Sequence, residues 1–147
     1  MANKRVLELG SGPGLGGFLA AHWAKQVVLS DYQDLVMDLM KHNIKECNPR
    51  PDQCEMLVTR LDWCAEDNLN VPLIDKNGDE SGSMLIHEID VIIGTDVVFW
   101  PMIIKPLVKT LCDLFAKNPD LVFYICYIER HTNTHDQLKE ELLANKF

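Results

Sequence analysis

The sequence predicts an α/β fold, a doubly wound, mainly parallel sheet of about five strands with helices on both faces. Short, continuously apolar runs, typical of strands buried on both faces, alternate with segments whose apolar residues recur at helical spacing. The apolar runs cover residues 5–9, 27–30, 56–61, 90–94 and 121–127. Because right-handed crossovers join parallel strands, this alternation places helices on both sides of one sheet.

A glycine-rich turn follows the first predicted strand, which is apolar except for Glu8. Glycines occupy positions 10, 12, 14, 16 and 17, and a helical segment over 18–23 comes next. Glycine permits positive φ and lets a ligand lie against bare backbone, and the amide groups at a helix start attract negative charge. We expect a cradle for the phosphate or carboxylate of a cofactor. The alternatives are a tight turn without a ligand and, in the register Gly12-x-Gly14-x-x-Gly17, a nicotinamide-binding turn.

The middle of the chain follows the same pattern. Helical spacing of apolar residues predicts amphipathic helices over 33–46 and 102–116. Residues 64–88 are rich in Asp, Asn, Gly and Ser, which predicts a mobile loop. Thr134 with Gln137 indicates a capping-box start for a last helix.

Composition limits the possible functions. With 147 residues, we expect one domain spanning 1–147. The net charge of -8 argues against nucleic-acid binding, which needs Lys and Arg to neutralise phosphates, and no apolar stretch reaches membrane-spanning length. Five cysteines without CxxC spacing, and no recognisable signal peptide, indicate reduced thiols of a cytoplasmic or nuclear protein.

Polar residues cluster at one predicted edge of the sheet. The Gly10 turn, Asp31, Asp62 and Asp96 follow the first, second, third and fourth strands. Ligands of open α/β sheets bind at the carboxyl ends of the strands, where the strand order reverses. These residues are therefore the expected binding site.

At these positions the chain resembles the seven-strand (class I) methyltransferases that use S-adenosylmethionine, through residues 6–14, Val-Leu-Glu-Leu-Gly-Ser-Gly-Pro-Gly. Within that superfamily it is most similar to the methyltransferase-like protein-lysine methyltransferases. Three segments carry this similarity: Leu-Asp-Trp at 61–63, Asp-Val-Val-Phe at 96–99 and Tyr-Ile-Glu-Arg at 127–130. The resemblance implies a Rossmann-like fold and methyl transfer to a lysine of a protein segment, with S-adenosylhomocysteine as product. There are two alternatives. The methyl acceptor is a small molecule or another protein side chain, or the chain is a non-catalytic cofactor-binding or interaction module.

The resemblance also implies which residues hold the cofactor. They are Glu8, Gly10, Ser11, Gly12, Pro13, Gly14, Asp31, Tyr32, Asp62, Trp63 and Thr95. Glu8 would face the cofactor ammonium, Asp31 both ribose hydroxyls and Asp62 the adenine amino group. Three alternatives are structural: Asp31 as a helix cap, Tyr32 at the solvent edge and Trp63 in the core.

Asp96 and Phe99 are the expected catalytic residues. A lysine amine must be neutral to attack, although its free pKa is about 10.4. An apolar aromatic wall disfavours the ammonium form, whereas an acid binds the ammonium on arrival. The alternative is an Asp that caps the next helix and a Phe in the core. Phe99 stands where the family has tyrosine.

Other features set further expectations. The chain starts at strand one and lacks the terminal hairpin of the full methyltransferase fold, so we expect a chain truncated at both ends. The uncharged strand at 121–128 would form a sheet edge, which predicts self-association or a covering by the C-terminal helix. His131 and His135 have the spacing of metal ligands on a helix but lack a third ligand, so no metal site is expected.

Overall fold

The computed structural model describes residues 2–66, 69–84 and 86–147. Its strands form one sheet of seven, in the order β5-β4-β3-β2-β1-β6-β7. The strands are β1 (Arg5–Leu9), β2 (Gln26–Asp31), β3 (Glu55–Arg60), β4 (Pro72–Ile74), β5 (Glu80–Ser83), β6 (Val91–Thr95) and β7 (Val122–Cys126). The helices are α1 (Leu15–Ala20), α2 (Asp34–Cys47), α3 (Ile104–Lys117) and α4 (Thr132–Ala144).

Five of the strands are parallel and correspond to the five apolar runs, which confirms the predicted fold class. β1 lies between β2 and β6, with Val6 opposite both Val27 and Val91. From β1 the chain builds outward to β2 and β3, then returns across the sheet to β6 and β7. The strand order therefore reverses at β1 and β6, and the carboxyl ends of these neighbours open a crevice.

Two short antiparallel strands make the sheet larger than expected. Residues 64–88 were predicted to be a mobile loop, but β4 and β5 lie within this segment and extend the sheet beyond β3. The Asp75 carboxylate accepts hydrogen bonds from the backbone N–H groups of Asn77 (2.8 Å) and Asp79 (3.0 Å), which closes a tight turn between the two strands. The prediction was wrong because the polar composition belongs to this turn, while buried Leu73 and Met84 anchor its flanks.

Helices cover both faces of the parallel strands. Ala20 of α1 and Met40 of α2 are buried in the apolar cluster on one face. Leu111 of α3 and Leu138 of α4 are buried in the cluster on the other. This arrangement is the doubly wound architecture, with a core of β-branched and leucine side chains between the layers.

Two helix starts differ from the prediction. α1 begins at Leu15, directly after Gly14, rather than at residue 18. α4 begins at Thr132 with His131 as N-cap and without a side-chain cap, so the capping box at Thr134 is not formed. Thr134 is instead buried. No helix within the described ranges has the length and apolarity needed to cross a membrane.

Candidate active site

The turn between β1 and α1 depends on glycine. Gly10, Gly12 and Gly14 have φ values of 58°, 52° and 91°, in the left-handed region that side chains with a Cβ rarely adopt. Ser11 fixes the turn to β2: its Oγ donates to the Glu8 carbonyl (3.2 Å) and accepts from the Ser30 N–H (2.9 Å). The turn is therefore a rigid, largely backbone surface beside the sheet edge.

Helix α2 also holds this turn. The side-chain amide of Asn43 donates to the Pro13 carbonyl over 2.9 Å, so the exposed Pro13 is fixed at the outer edge of the turn. Sequence reasoning missed Asn43, because thirty residues separate it from its partner and a polar residue on a predicted helix gives no signal of such a contact.

Glu8 is a buried acid within the central strand. Its side chain is about 1% exposed and accepts a hydrogen bond from the backbone N–H of Gly17, in α1, over 2.9 Å. Burial raises the Glu8 pKa to about 7, although hydrogen bonds from Gly17, Ser11 and Gly16 oppose the rise. Glu8 thus joins β1 to the first turn of α1, and its contact with a cofactor ammonium stays a prediction.

The raised pKa of Glu8 predicts a pH-dependent stability. The folded chain binds the Glu8 proton more tightly than the unfolded chain, so this contribution is fully present below about pH 4.5 and is lost as pH rises through about 7. The loss amounts to about 3 kcal/mol at most, at 1.36 kcal/mol per pKa unit. Urea unfolding at pH 5 and pH 8 should show this decline in the wild type.

Glu8→Gln is the matched variant for that measurement. Glutamine keeps a side-chain carbonyl for the Gly17 N–H but does not ionise. We expect the free energy of unfolding of the variant to fall less between the two pH values than that of the wild type. Equal falls in both proteins would show that Glu8 does not titrate in this range.

Asp31 lies at the carboxyl end of β2, beside the glycine turn. Its Oδ2 accepts the Gly12 N–H (3.2 Å), while Oδ1 accepts the N–H groups of Tyr32 (2.8 Å) and Gln33 (3.3 Å). The N-cap of α2 is Gln33, so Asp31 does not cap that helix. Its carboxylate is half-buried, and these three N–H groups occupy three of its about four acceptor sites, so ligand hydroxyls would replace or share the longer contacts with Gly12 and Gln33.

Three further predicted residues follow neighbouring strands: Tyr32 after β2, and Asp62 and Trp63 after β3. Trp63 packs against the core, and a Cβ placed on Gly10 would lie 3.3 Å from its ring. The same side chain therefore both contacts the core and forms a wall beside the turn. The Asp62 Oδ1 accepts the Cys64 N–H over 2.9 Å. Tyr32 is half exposed, at the solvent edge.

These groups fit the nucleoside cofactor that the resemblance implies. The turn offers bare backbone where side chains are disfavoured, Asp31 offers a half-buried carboxylate beside it, and Trp63 offers an apolar wall. Thr95, the last residue of β6, faces the first turn of α1, because a Cβ on Gly16 would lie 2.9 Å from its Oγ1. The predicted residues therefore lie in or directly after the carboxyl ends of β1, β2, β3 and β6.

Asp96 follows β6 directly and is held by an arginine. Its two carboxylate oxygens accept hydrogen bonds of 2.6 and 2.7 Å from the Arg130 guanidinium, in a bidentate ion pair. The Arg130 guanidinium lowers the pKa of Asp96, which keeps its carboxylate charged. The next helical segment begins at Pro101 with Trp100 as N-cap, so Asp96 is not a helix cap.

The sequence does not predict the pairing of Asp96 with Arg130, although both residues lie in segments that carry the family resemblance. The one available signal is topological, since β6 and β7 are parallel neighbours with Thr95 opposite Cys126. Because Asp96 and Arg130 each follow one of these two strands, at the same edge of the sheet, their side chains can meet.

Phe99 is at the surface and not in the core. Its side chain is about 40% exposed and stacks edge to face on Trp100, with ring centroids 4.8 Å apart. Phe99 lines a shallow depression together with Val98, Tyr127, Arg130 and His135. Within this depression the Tyr127 hydroxyl lies 2.5 Å from Nδ1 of His135, a contact that sequence reasoning did not predict. Among the described residues, no group of three or more His, Cys, Asp or Glu is arranged to hold a metal ion.

Comparison with solved structures confirms the fold. A human methyltransferase 10 domain containing protein superposes with a TM-score of 0.58 at 14% identity, over 96% of this chain and 60% of that chain. At this identity the match establishes the fold alone.

Comparison with curated proteins identifies the family. Protein N-lysine methyltransferase METTL21A of Mus musculus is 28% identical over 143 residues, which are 96% of this chain and 58% of that protein. Histone-arginine methyltransferase METTL23 of Xenopus laevis is 30% identical over 129 residues, 86% of this chain and 48% of that protein. The chain thus spans about half the length of the curated relatives it matches. A family model described as "Lysine methyltransferase" matches residues 1–141, and the chain belongs to that family.

Proposed function

We propose that this chain is the core of an S-adenosylmethionine-dependent methyltransferase that modifies a lysine side chain of a protein. One observation carries the proposal: the glycine turn and the Asp96–Phe99 segment follow β1 and β6, which are neighbours in the sheet. A cofactor cradle and an amine-binding depression therefore open on the same edge. The lysine methyltransferase family supports this assignment.

The chain's own residues supply binding and orientation. Gly10, Gly12, Asp31 and Asp62 would hold the cofactor, which supplies an electrophilic methyl group on its sulfonium. Phe99 presents an apolar wall to the incoming side chain and so disfavours its charged form. Holding the amine in line with the methyl group lowers the barrier by converting a bimolecular encounter into an oriented one.

Asp96 attracts the lysine as its ammonium. The carboxylate is charged and its side chain is about 45% exposed, so a second cation can approach it. Arg130 already binds both oxygens, and the arriving ammonium would share the remaining lone pairs or displace one of the two hydrogen bonds. Asp96 therefore brings the amine to the depression but is a weak acceptor of its proton.

A second candidate is methyl transfer to arginine. The observation that favours it is the similarity to histone-arginine methyltransferase METTL23, which is close to that of the lysine enzymes. The two acceptors share a long, positively charged side chain, so an acid and an aromatic wall suit either.

Radiolabelled transfer into a proteome extract distinguishes these functions. Tritiated S-adenosylmethionine is added to the chain with heat-treated extract, and amino-acid analysis then separates methyllysine from methylarginine. We expect label in methyllysine. Label in methylarginine alone would favour the second candidate, label in small molecules would move the acceptor outside proteins, and no label with retained cofactor binding would indicate a non-catalytic module.

The proposed partner and location follow from charge and thiols. We propose a basic protein segment as substrate, with no nucleic acid, because the chain carries a net charge of -8. All five cysteines are free thiols. This supports a reducing compartment, and we propose the cytoplasm, the nucleus or both.

We further propose self-association through residues 121–128. β7 is the last strand of the sheet on its side, and Val122, Tyr124 and Ile128 are 45%, 58% and 67% exposed. Phe123 and Ile125, on the other face, pack on the cluster that contains Leu138 of α4. Within the described residues, helix α4 therefore leaves the face of Val122 and Tyr124 exposed, and we propose that a second copy binds there.

Sedimentation velocity tests this proposal. We expect the sedimentation coefficient of the wild type to rise with concentration and that of Tyr124→Lys to stay constant, since a charge on an exposed strand face opposes edge pairing. Leu35→Lys, at a position on α2 that is 80% exposed, is the matched control and should behave like the wild type. A wild-type monomer at all concentrations would contradict the proposal.

A further inference from the structure

We propose that Tyr127 and His135 form a proton-accepting pair for the substrate amine. The Tyr127 hydroxyl would take a proton from the lysine ammonium and pass its own proton to Nδ1 of His135. This inference rests on the proposed lysine methyl transfer and adds the group that makes the amine neutral.

The pair is built into the depression beside Phe99. Tyr127 comes directly after β7, and His135 lies in the first turn of α4. Their side chains are half-buried, and the hydroxyl oxygen lies 2.5 Å from Nδ1. Both residues line the same depression as Phe99 and Val98. A lysine side chain lying along Phe99 at the surface of this depression would therefore be next to a hydroxyl that is already bonded to an imidazole.

Phe99 and Asp96, the two residues expected to be catalytic, are poor proton acceptors. Phe99 has no hydroxyl, and both oxygens of Asp96 are bound by Arg130. That ion pair lowers the pKa of Asp96, so its carboxylate is a weak base. Imidazole is the side chain that exchanges protons near neutral pH. Burial and the nearby Glu129 raise the pKa of Tyr127, so its hydroxyl keeps its proton until an acceptor takes it.

The proton transfer balances without any other reactant. One N–H bond of the ammonium breaks and its proton joins the Tyr127 oxygen, while the Tyr127 O–H proton moves to Nδ1 of His135. The amine keeps the electron pair needed for attack on the methyl group, Tyr127 is again a neutral phenol, and His135 is an imidazolium. The imidazolium then releases its proton to water.

Other charged groups border the pair. Glu129, Arg130 and His131 line the same depression, and Asp96 reaches it through Arg130. From the neighbouring helix, Lys105 of α3 pairs with Glu141 of α4 over 3.6 Å. His131 is the alternative base and must be tested beside His135.

The test is the pH dependence of methyllysine formation in proteome extract. At pH 7 we expect His135→Gln and Tyr127→Phe to form methyllysine about a hundredfold more slowly than the wild type, within the range for general base catalysis. The deficit should shrink toward about pH 10, because solvent then removes the proton from an amine whose free pKa is about 10.4. Tyr124→Phe, on the exposed face of the same strand, and His42→Gln, on α2, are the matched controls and should match the wild type.

A second readout needs neither cofactor nor activity. In nitrogen NMR spectra of the histidine side chains, Tyr127→Phe should shift the Nδ1 resonance of His135 and leave that of His42 unchanged. Adding n-butylamine as a lysine side-chain probe should perturb the His135 signal in the wild type and less in Tyr127→Phe.

The outcomes separate this inference from the proposed function. A wild type that methylates no lysine overturns the proposed function and the pair with it. If the wild type methylates lysine but the two variants show the same deficit at every pH, or His131→Gln shows the pH-dependent loss instead, only the pair is overturned. An unchanged His135 Nδ1 signal in Tyr127→Phe would also overturn it.

Discussion

Replacing Asp31 with alanine is expected to weaken binding of S-adenosylhomocysteine by about 1.5–3 kcal/mol, the range for hydrogen bonds to a charged group. This corresponds to a rise in Kd of about 10- to 150-fold. The physical reason is that the half-buried carboxylate at the end of β2, beside the glycine turn, is the acceptor that we expect to bind the ribose hydroxyls. Isothermal titration of the wild type and the variant measures the difference directly.

The Asp31 side chain also organises the turn, and this effect must be separated from ligand binding. Asp31→Ala removes the acceptor of the Gly12 N–H, so the melting temperature of the ligand-free variant should be recorded with the titration. Asp34→Ala is the matched control: its side chain is 83% exposed and pairs with Arg60 rather than with the glycine turn. Unchanged affinity in Asp31→Ala would remove Asp31 from the cofactor site.

The parallel sheet was predictable because its strands are buried on both faces. In a strand such as Val27–Leu29 every side chain is buried, so apolar and polar residues do not alternate along it. Its short apolar run is therefore easily distinguished from the helical segments. The hairpin of β4 and β5 gave no such signal. Its strands are three and four residues long, β5 is exposed throughout, and the turn chemistry around Asp75 dominates the composition.

The predicted start of α1 was wrong because a glycine can mark either a turn with positive φ or a helix that packs closely on a strand. Gly10 and Gly12 are in the turn with positive φ, as predicted. Gly17 belongs to the helix, where its backbone N–H bonds Glu8 and a Cβ would lie 3.0 Å from the Glu8 carboxylate. It is glycine because the helix approaches the strand closely, and sequence alone does not distinguish that requirement from a turn.

The sequence likewise predicts some contacts of the candidate site and not others. Carboxylates at the ends of parallel strands converge by geometry, so Asp31 and Asp96 could be placed at one edge from the pattern of strands. Arg130 and His135 reach the site from the segment after β7, whose path back across the sheet end follows from packing of α4 on α3. No local sequence pattern predicts that path, so the contacts of Arg130 and His135 could be identified only from the structure.

Replacing Asp96 with asparagine is expected to abolish most methyl transfer while cofactor affinity stays unchanged. Asparagine tolerates the left-handed backbone of this position, where φ is 57°, so the variant should fold. It removes the negative charge that we propose attracts the ammonium, and it weakens the bidentate contact with Arg130. Loss of the charge that is proposed to attract the ammonium predicts a fall of about tenfold or more in kcat/KM.

The decisive comparison for Asp96→Asn is transfer rate against cofactor titration in the same preparation. Asp113→Asn is the matched control, since Asp113 also pairs with a basic residue, Lys109, but does so on the exposed surface of α3. Its transfer rate should equal that of the wild type. Because Asp96 caps no helix, a purely structural role predicts at most a small change in stability from loss of an exposed ion pair. Full transfer activity in Asp96→Asn would therefore exclude Asp96 from the reaction and leave Phe99 and the Tyr127–His135 pair to bind the amine.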